Sequence, residues 1–238
     1  MAGLSICGKN GLATNATSTD TMLHFDLILP SIPYIIGGVG VTLQYTLVSI
    51  CGGLILGSIL ALFKISSSPI LRGIANGYTS IFRGTPLLLQ LGIIYFALPN
   101  VLGVTLPPFV AGILTFSLNS AAYISEILRS GIQSVDVGQK EACLSLNIPQ
   151  HKAMKDIILP QAIRNTLPSL VNEVIDLLKE SALISIIGEA DLLRRANIVA
   201  AEKYLYLEPL LIAGSCYYIL VLGLASLAKL LENRLKVT

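Results

Sequence analysis

Residues 84–125 read GTPLLLQLGIIYFALPNVLGVTLPPFVAGILTFSLNSAAYIS, without a single charged side chain. About 20 apolar residues in helix cross roughly 30 Å of hydrocarbon, so the run is long enough for two crossings. Pro99, Asn100, Gly103, Pro107 and Pro108 interrupt its middle, and that density of breakers predicts a turn at a membrane surface. One span therefore covers about 84–98 and the next about 108–128. An earlier uncharged run extends from Leu27 to Phe63. Its front, with Pro30, Pro33, Gly37, Gly38 and Gly40, is too broken for a regular helix and reads as interfacial, which leaves a span over about 41–63. Two further segments follow, about 167–187, which carries charges, and about 209–228, which does not. The expectation is an all-α integral membrane protein of five transmembrane helices.

Composition supports that reading. Of 238 residues 53% are hydrophobic and 13% charged, with a mean hydropathy of +0.74. Soluble domains carry roughly 25% charged residues, and this chain has too few to cover a water-facing surface. A net charge of +2 supplies no basic footprint for nucleic acid. Cys7, Cys51, Cys143 and Cys216 form no C-x-x-C pair and point to neither a zinc site nor a disulfide framework.

Five spans put the two termini on opposite faces, and lysine and arginine decide which is which. Lys64, Arg72, Arg83, Arg129, Lys140, Lys152, Lys155, Arg164, Lys229, Arg234 and Lys236 fall on one side. Lys9, Arg194, Arg195 and Lys203 fall on the other, diluted by Glu189, Asp191, Glu202 and Glu208. The N-terminus is therefore expected outside and the C-terminus in the cytoplasm. Residues 1–26 are polar, lack the basic-then-apolar start of a signal peptide, and read as a flexible tail ahead of the transmembrane domain at 27–238. Before the second span, Ile70, Leu71, Ile74, Tyr78, Ile81 and Phe82 recur at helical spacing, which predicts an amphipathic helix at the inner leaflet and a kink near Gly84. Thr85 and Pro86 suit a cap followed by a first helical position.

The one long polar stretch, residues 129–166, is punctuated rather than loose. Asp136 and Gln139 have the spacing of a capping box, which predicts a short helix over 137–146. Asn147 falls where a left-handed residue ends a helix, Pro149 opens a second short helix and Pro160 stops it. Here the sequence resembles the membrane subunits of bacterial ATP-binding-cassette importers, whose signature is Glu-Ala-Ala, three residues, Gly, nine residues, Ile-x-Leu-Pro. This chain reads Glu141-Ala142-Cys143, Asn147 and Ile157-Ile158-Leu159-Pro160 at that spacing, with Cys for the second Ala and Asn for Gly. Cys is small and Asn tolerates positive φ, so both departures keep the inferred geometry. Phe82-Arg83-Gly84-Thr85-Pro86, Leu118 to Tyr123, Leu159-Pro160-Gln161-Ala162 and Leu177 to Leu183 are similar to the polar amino-acid branch of that family.

The resemblance implies a type I importer permease of the bacterial inner membrane. It would work with ABC ATPase subunits, an extracytoplasmic amino-acid-binding protein and a second permease subunit, identical or related. Glu141, Ala142, Asn147, Ile157, Leu159 and Pro160 would then form the element that couples the ATPase to transport, Ile157 and Leu159 packing beneath Glu141. Glutamine or basic amino acids would be the favoured cargo.

The charged fourth span carries the candidate substrate residues. A charge at the centre of a spanning helix costs at least about 2.5–3.5 kcal/mol, so it faces a cavity, a partner or a ligand. Glu173, Asp176 and Glu180 share a stripe, spaced by three and four residues, with Lys179 beside them. In one reading Asp176 pairs with Lys179 and the glutamates sit at a wet interface. In the other Glu173 and Glu180 line the path and meet the positive groups of an amino acid, with Asn119 and Ser120 bonding its carboxylate or amide. Packing between helices is the plain alternative for Asn119 and Ser120.

The chain has no G-x-x-x-x-G-K-[ST] loop and no H-E-x-x-H, and its only histidines, His24 and His151, lie outside the spans. No catalytic, metal or cofactor residue is therefore assigned, and an intramembrane enzyme is disfavoured. An ion-coupled secondary transporter is the alternative. It would show inverted repeats and helices broken at mid-membrane, which the sequence does not display.

Overall fold

The computed structural model describes residues 23–236, with side chains as far as residue 230. Those residues form helices and connecting turns, with no strand among them. Helical turns over Phe25–Ile28, Leu29–Ser31 and Ile32–Ile36 lead into α1 (Val39–Ile65). There follow α2 (Pro69–Gly84), α3 (Leu87–Leu102), α4 (Pro108–Gln133) and α5 (Val137–Ser145). The chain ends with α6 (Leu159–Glu180), α7 (Leu192–Lys203) and α8 (Leu207–Lys236). Phe25–Ile65 taken together, Pro108–Gln133 and Leu207–Leu230 are each long and apolar enough to cross a bilayer. α2 and α3, bent by 101° at Thr85-Pro86, make a fourth if the pair counts as one span. α6, laden with Glu173, Asp176, Lys179 and Glu180, is not among these apolar helices.

α1 and α4 form the centre. Gly53 and Gly57 let the two backbones approach: a Cβ on Gly57 would lie 2.8 Å from Ile124 Cβ, and one on Gly53 3.0 Å from Ser120 Cβ. Small residues four apart are the usual means of close helix contact inside a membrane. Tyr45, Leu91, Phe116, Ile124, Leu177 and Ile184 fill the core around this contact.

A second core joins the front of the chain to α7 and α8. The broken front of the chain, expected to be interfacial, buries Ile28 and Ile35 against Leu192, Ala196 and Val199 of α7 and Ala213 of α8. Gly38 permits the approach, since a Cβ there would sit 2.6 Å from Leu192 Cα. Asp191 caps α7 by accepting from the Leu193 and Arg194 amides, and the Tyr217 hydroxyl donates to it at 3.3 Å. Burial pushes the Asp191 carboxyl above the ordinary aspartate range, against those donors. Residues 1–22 of the expected tail lie outside the described residues, whereas the His24 amide donates to the Glu208 carboxylate at 2.8 Å.

Two prolines act differently from expectation. Pro99 was expected to break a helix and Pro160 to stop one, yet the chain stays helical through both. Each stands second in a helical segment that follows a π-helical turn, Ile93–Ala97 before Pro99 and Ala153–Ile158 before Pro160. A proline lacks the amide of the i→i−4 bond and its ring crowds that carbonyl; the wider π turn accommodates both. α3 ends only at Gly103, whose φ is +68°. Thr85 is likewise not a side-chain cap: its hydroxyl donates back to Ile81 O at 2.8 Å, Pro86 occupies the cap position, and the helix begins at Leu87. The amphipathic reading of α2 holds, because Ala75 and Thr79 are buried while Ile70, Ile74 and Ile81 lie on an uncovered face.

Candidate functional site

A cavity of 480 Å³ opens beside the C-terminal half of α6, lined by Tyr123, Glu173, Asp176, Lys179, Glu180, Ala182 and Leu183. The three acids reach it together because positions three and four apart share one helix face. Glu173 is half-buried, and the Ser120 hydroxyl of α4 donates to its Oε1 at 2.6 Å. Asp176 is exposed and paired with Lys179 at 2.6 Å. That pair cancels, and among the described residues neither Glu173 nor Glu180 has a cationic partner. The wall is acidic in net charge.

Asn119 is not on that wall. Its Nδ2 donates to Gln90 Oε1 at 3.0 Å and to Phe82 O at 3.2 Å, so its amide joins α4 to the bend between α2 and α3. Gln90 is the hub of that bend, and the sequence reading passed over it. Its Nε2 donates to Phe82 O, Thr85 O and Thr85 Oγ1 at 2.9, 3.1 and 2.9 Å. A lone amide in the run Leu87 to Ala97 was the available signal, since a buried polar group in lipid must find partners.

A second polar cluster was also missed. Lys64, its side chain 1% exposed at the end of α1, pairs with Glu126 of α4 and donates to Thr79 Oγ1 of α2 at 2.9 Å. Arg129 also holds Glu126, at 2.8 Å, and Arg83 stands 4.0 Å from it. Sequence reading had counted Lys64 only as a topological charge. The structure makes it a link between three helices.

The punctuated stretch adopts the expected outline with a different cap and a different core. α5 begins at Val137, and Asp136 Oδ1 accepts from the Gly138 amide at 2.7 Å, with no reciprocal side-chain bond from Gln139. The left-handed residue that closes its C-terminal end is Asn147, whose φ is 52°. Ile148 N–H donates to Cys143 O at 2.9 Å and Asn147 N–H to Leu144 O at 3.0 Å, the paired bonds of a Schellman ending. Beneath the turn lie Cys143, Ala153 and Ile158. The motif's packed residue is thus Ile158. Ile157 is half-buried and Leu159 is 40% exposed, one position to either side, because the π turn shifts which residues face inward. Glu141, Ala142 and Pro160 are exposed, as are Val137, Leu144 and Leu146. Among the described residues no group of His, Cys, Asp or Glu is placed to hold a metal ion.

Apolar helices long enough to cross a bilayer and an acidic cavity between α4 and α6 fit a membrane transport subunit. The chain belongs to the family described as the binding-protein-dependent transport system inner membrane component, which matches residues 53–237. It is 53% identical, over 87% of its length and 94% of the relative's, to a Rickettsia felis protein provisionally named a glutamine transport system permease. It is 51% identical to the arginine transport system permease protein of Bacillus subtilis, over 90% of this chain and 98% of that one. Its fold matches the crystal structure of an amino acid ABC transporter with histidines at a TM-score of 0.85 and 41% identity, covering 90% of this chain and 99% of that chain.

Proposed function

We propose that this chain is the permease subunit of an ATP-driven importer of polar amino acids, with glutamine or a basic amino acid as cargo. The observation that carries the reading is the acidic cavity: Glu173 and Glu180 face it without a cationic partner among the described residues, and the Ser120 hydroxyl donates to Glu173. Such a wall attracts an ammonium or a cationic side chain. Relatives named for glutamine and arginine transport support the cargo class.

Five spans follow if α1, the bent α2–α3 pair, α4, α6 with its 3₁₀ extension Ser181–Ile187, and α8 each cross once. The lysine and arginine bias then places the N-terminus outside and the stretch 129–166 in the cytoplasm of a bacterial inner membrane. A separate ATPase pair docks on α5 and the turn after it, where Glu141, Leu144 and Leu146 are uncovered, and the Schellman turn keeps that element stiff enough to transmit closure. An external binding protein delivers the amino acid. A second permease subunit, identical or related, completes the path.

The test is binding of radiolabelled arginine and glutamine to the detergent-purified complex without its binding protein. Glu173→Gln and Glu180→Gln should each weaken binding by about one to two decades, as expected for a lost charge-assisted hydrogen bond. Unchanged affinity in both variants removes the acids from the site. In parallel, Glu141→Lys should abolish ATP-driven uptake in proteoliposomes without affecting insertion; wild-type uptake would sink the coupling role.

A further inference from the structure

A second cavity, of 420 Å³, lies between α4 and α6 on the side of the 129–166 stretch. Its size falls in the roughly 300–1,000 Å³ range of small-molecule sites. Its charge is opposite to that of the first. Lys64, Arg83 and Arg129 gather round one carboxylate, Glu126; Arg83, Arg129 and Glu126 line the cavity, and two cations less one anion leave a surplus of one positive charge.

Those cations are not equally engaged. Lys64 is spent on Glu126 and Thr79, and Arg129 on Glu126 and Gln133. Arg83 is not spent. Its nearest carboxylate oxygen is 4.0 Å away, its side chain is 45% exposed, and its guanidinium rests 5.3 Å from the centre of the Tyr123 ring. It lines the basic cavity, while Tyr123 lines the acidic one. This contact links the linings of the two cavities. In the same lining Ser130, Ser134, Asn165, Thr166 and Ser169 supply hydroxyl and amide groups.

We propose that the basic cavity binds the α-carboxylate of the transported amino acid, as a station on the cytoplasmic side of the acidic one. The inference rests on the reading of this chain as an amino-acid permease. A planar guanidinium with free donors matches a carboxylate in bidentate fashion. The zwitterion carries both charges, so one ligand suits both chambers in turn: its ammonium or cationic side chain satisfies the acids, and its carboxylate satisfies Arg83 once it moves past Tyr123. A lipid headgroup fits less well, because Ile127 is the one large apolar side chain on the wall and an acyl chain would have nothing to lie against.

The experiment uses the complete complex with its ATPase, in nanodiscs of zwitterionic lipid and without the binding protein. Equilibrium binding of radiolabelled arginine and glutamine is compared with displacement by argininamide and glutaminamide, which lack the carboxylate. Two sites per permease subunit are expected, only one of which the amides displace. Arg83→Gln should weaken the amide-resistant site by about ten- to a hundredfold and leave the other unchanged; Arg83→Lys, which keeps the charge and loses the fork, should fall between. Displacement from both sites by the amides overturns the proposal without recourse to any variant. So does an amide-resistant site unmoved by Arg83→Gln, or one that appears only when anionic lipid is absent and is filled by phosphatidylglycerol otherwise. Wild-type complex that binds neither label fails the proposed function itself, whereas one site, lost in Glu173→Gln and indifferent to Arg83→Gln, fails this inference alone.

Discussion

Ser120 and Glu173, 53 residues apart, meet at 2.6 Å, the hydroxyl of α4 donating to the carboxylate of α6. The contact joins the best-packed helix of the core to the wall of the acidic cavity. A hydroxyl 0% exposed has no water to turn to, so its orientation is set by Glu173, and Glu173 is held in return. Ser120→Ala should therefore weaken arginine binding by about tenfold, the effect of one hydrogen bond to a charged group at the lower end of roughly 1.5–3 kcal/mol. Complex yield should be unaffected, since alanine fits the space. Reduced yield with wild-type affinity would make the pair a structural contact only.

Asn147 at φ 52° carries a prediction of opposite sign for two substitutions. Asn147→Gly keeps the left-handed ending of α5 without a side-chain penalty and should be neutral or slightly stabilising. Asn147→Val puts a β-branched residue where even an unbranched one costs about 1–2 kcal/mol, and should lower the melting temperature and the amount of ATPase that co-purifies. Thermal denaturation of the two variants side by side checks the order. Equal stability would mean that the turn opens readily and does not act as a rigid coupler.

Asn147 was legible in the sequence because its signal is local: a helix-length segment, a residue tolerant of positive φ and a proline two positions later. The apolar helices α1, α4 and α8 were legible for the same reason, as uncharged runs with breakers between them. What escaped was either long-range or compensated. Nothing near Lys64 in sequence announces Glu126, and a lysine ending an apolar run reads first as a topological charge. Pro99 and Pro160 read as stops because their local effect is strong, and only the preceding π turns cancel it. Gly53 and Gly57, four apart in an apolar run, were a readable sign of the α1–α4 contact. Glu173, Asp176 and Glu180 stood out because charge in a span needs a reason, and they line one cavity; Asn119, a polar residue inside a span, had its reason in Gln90.

The Lys64–Glu126 pair predicts an asymmetry. By exposure, Lys64 at 1% would appear the more sensitive partner and Glu126 at 23% the less. The partners reverse that order. Lys64→Met leaves Glu126 with Arg129 at 2.8 Å, so no buried charge is stranded. Glu126→Gln leaves the Lys64 ammonium buried with only the Thr79 hydroxyl, and an uncompensated buried charge costs about 3–5 kcal/mol. Glu126→Gln should thus destabilise the complex more than Lys64→Met, and the double variant should resemble Lys64→Met. Melting temperatures of the three decide it, and equal losses in both single variants would show that Lys64 reaches water when its partner is removed.

The bend between α2 and α3 has two causes, and they can be separated. Pro86 forces Thr85 into extended backbone, φ −124° and ψ 146°, and that alone ends α2. It does not set an angle. The angle of 101° is held by Gln90, which donates to Phe82 O and Thr85 O on one side of the break and accepts from Asn119 of α4 on the other. Gln90→Leu keeps most of the volume and removes all of these bonds. Gln90→Glu keeps an acceptor for Asn119 but turns a carboxylate oxygen toward two carbonyls, so it should be the more damaging at neutral pH. Spin labels at Ile74 and Ile93, both on uncovered faces, report the angle as a distance. A narrow distribution is expected for the native chain, a broadened one for Gln90→Leu and a broader or shifted one for Gln90→Glu. If the distribution stays narrow in Gln90→Leu, Pro86 and the flanking packing suffice to fix the bend, and Gln90 serves only to satisfy Asn119.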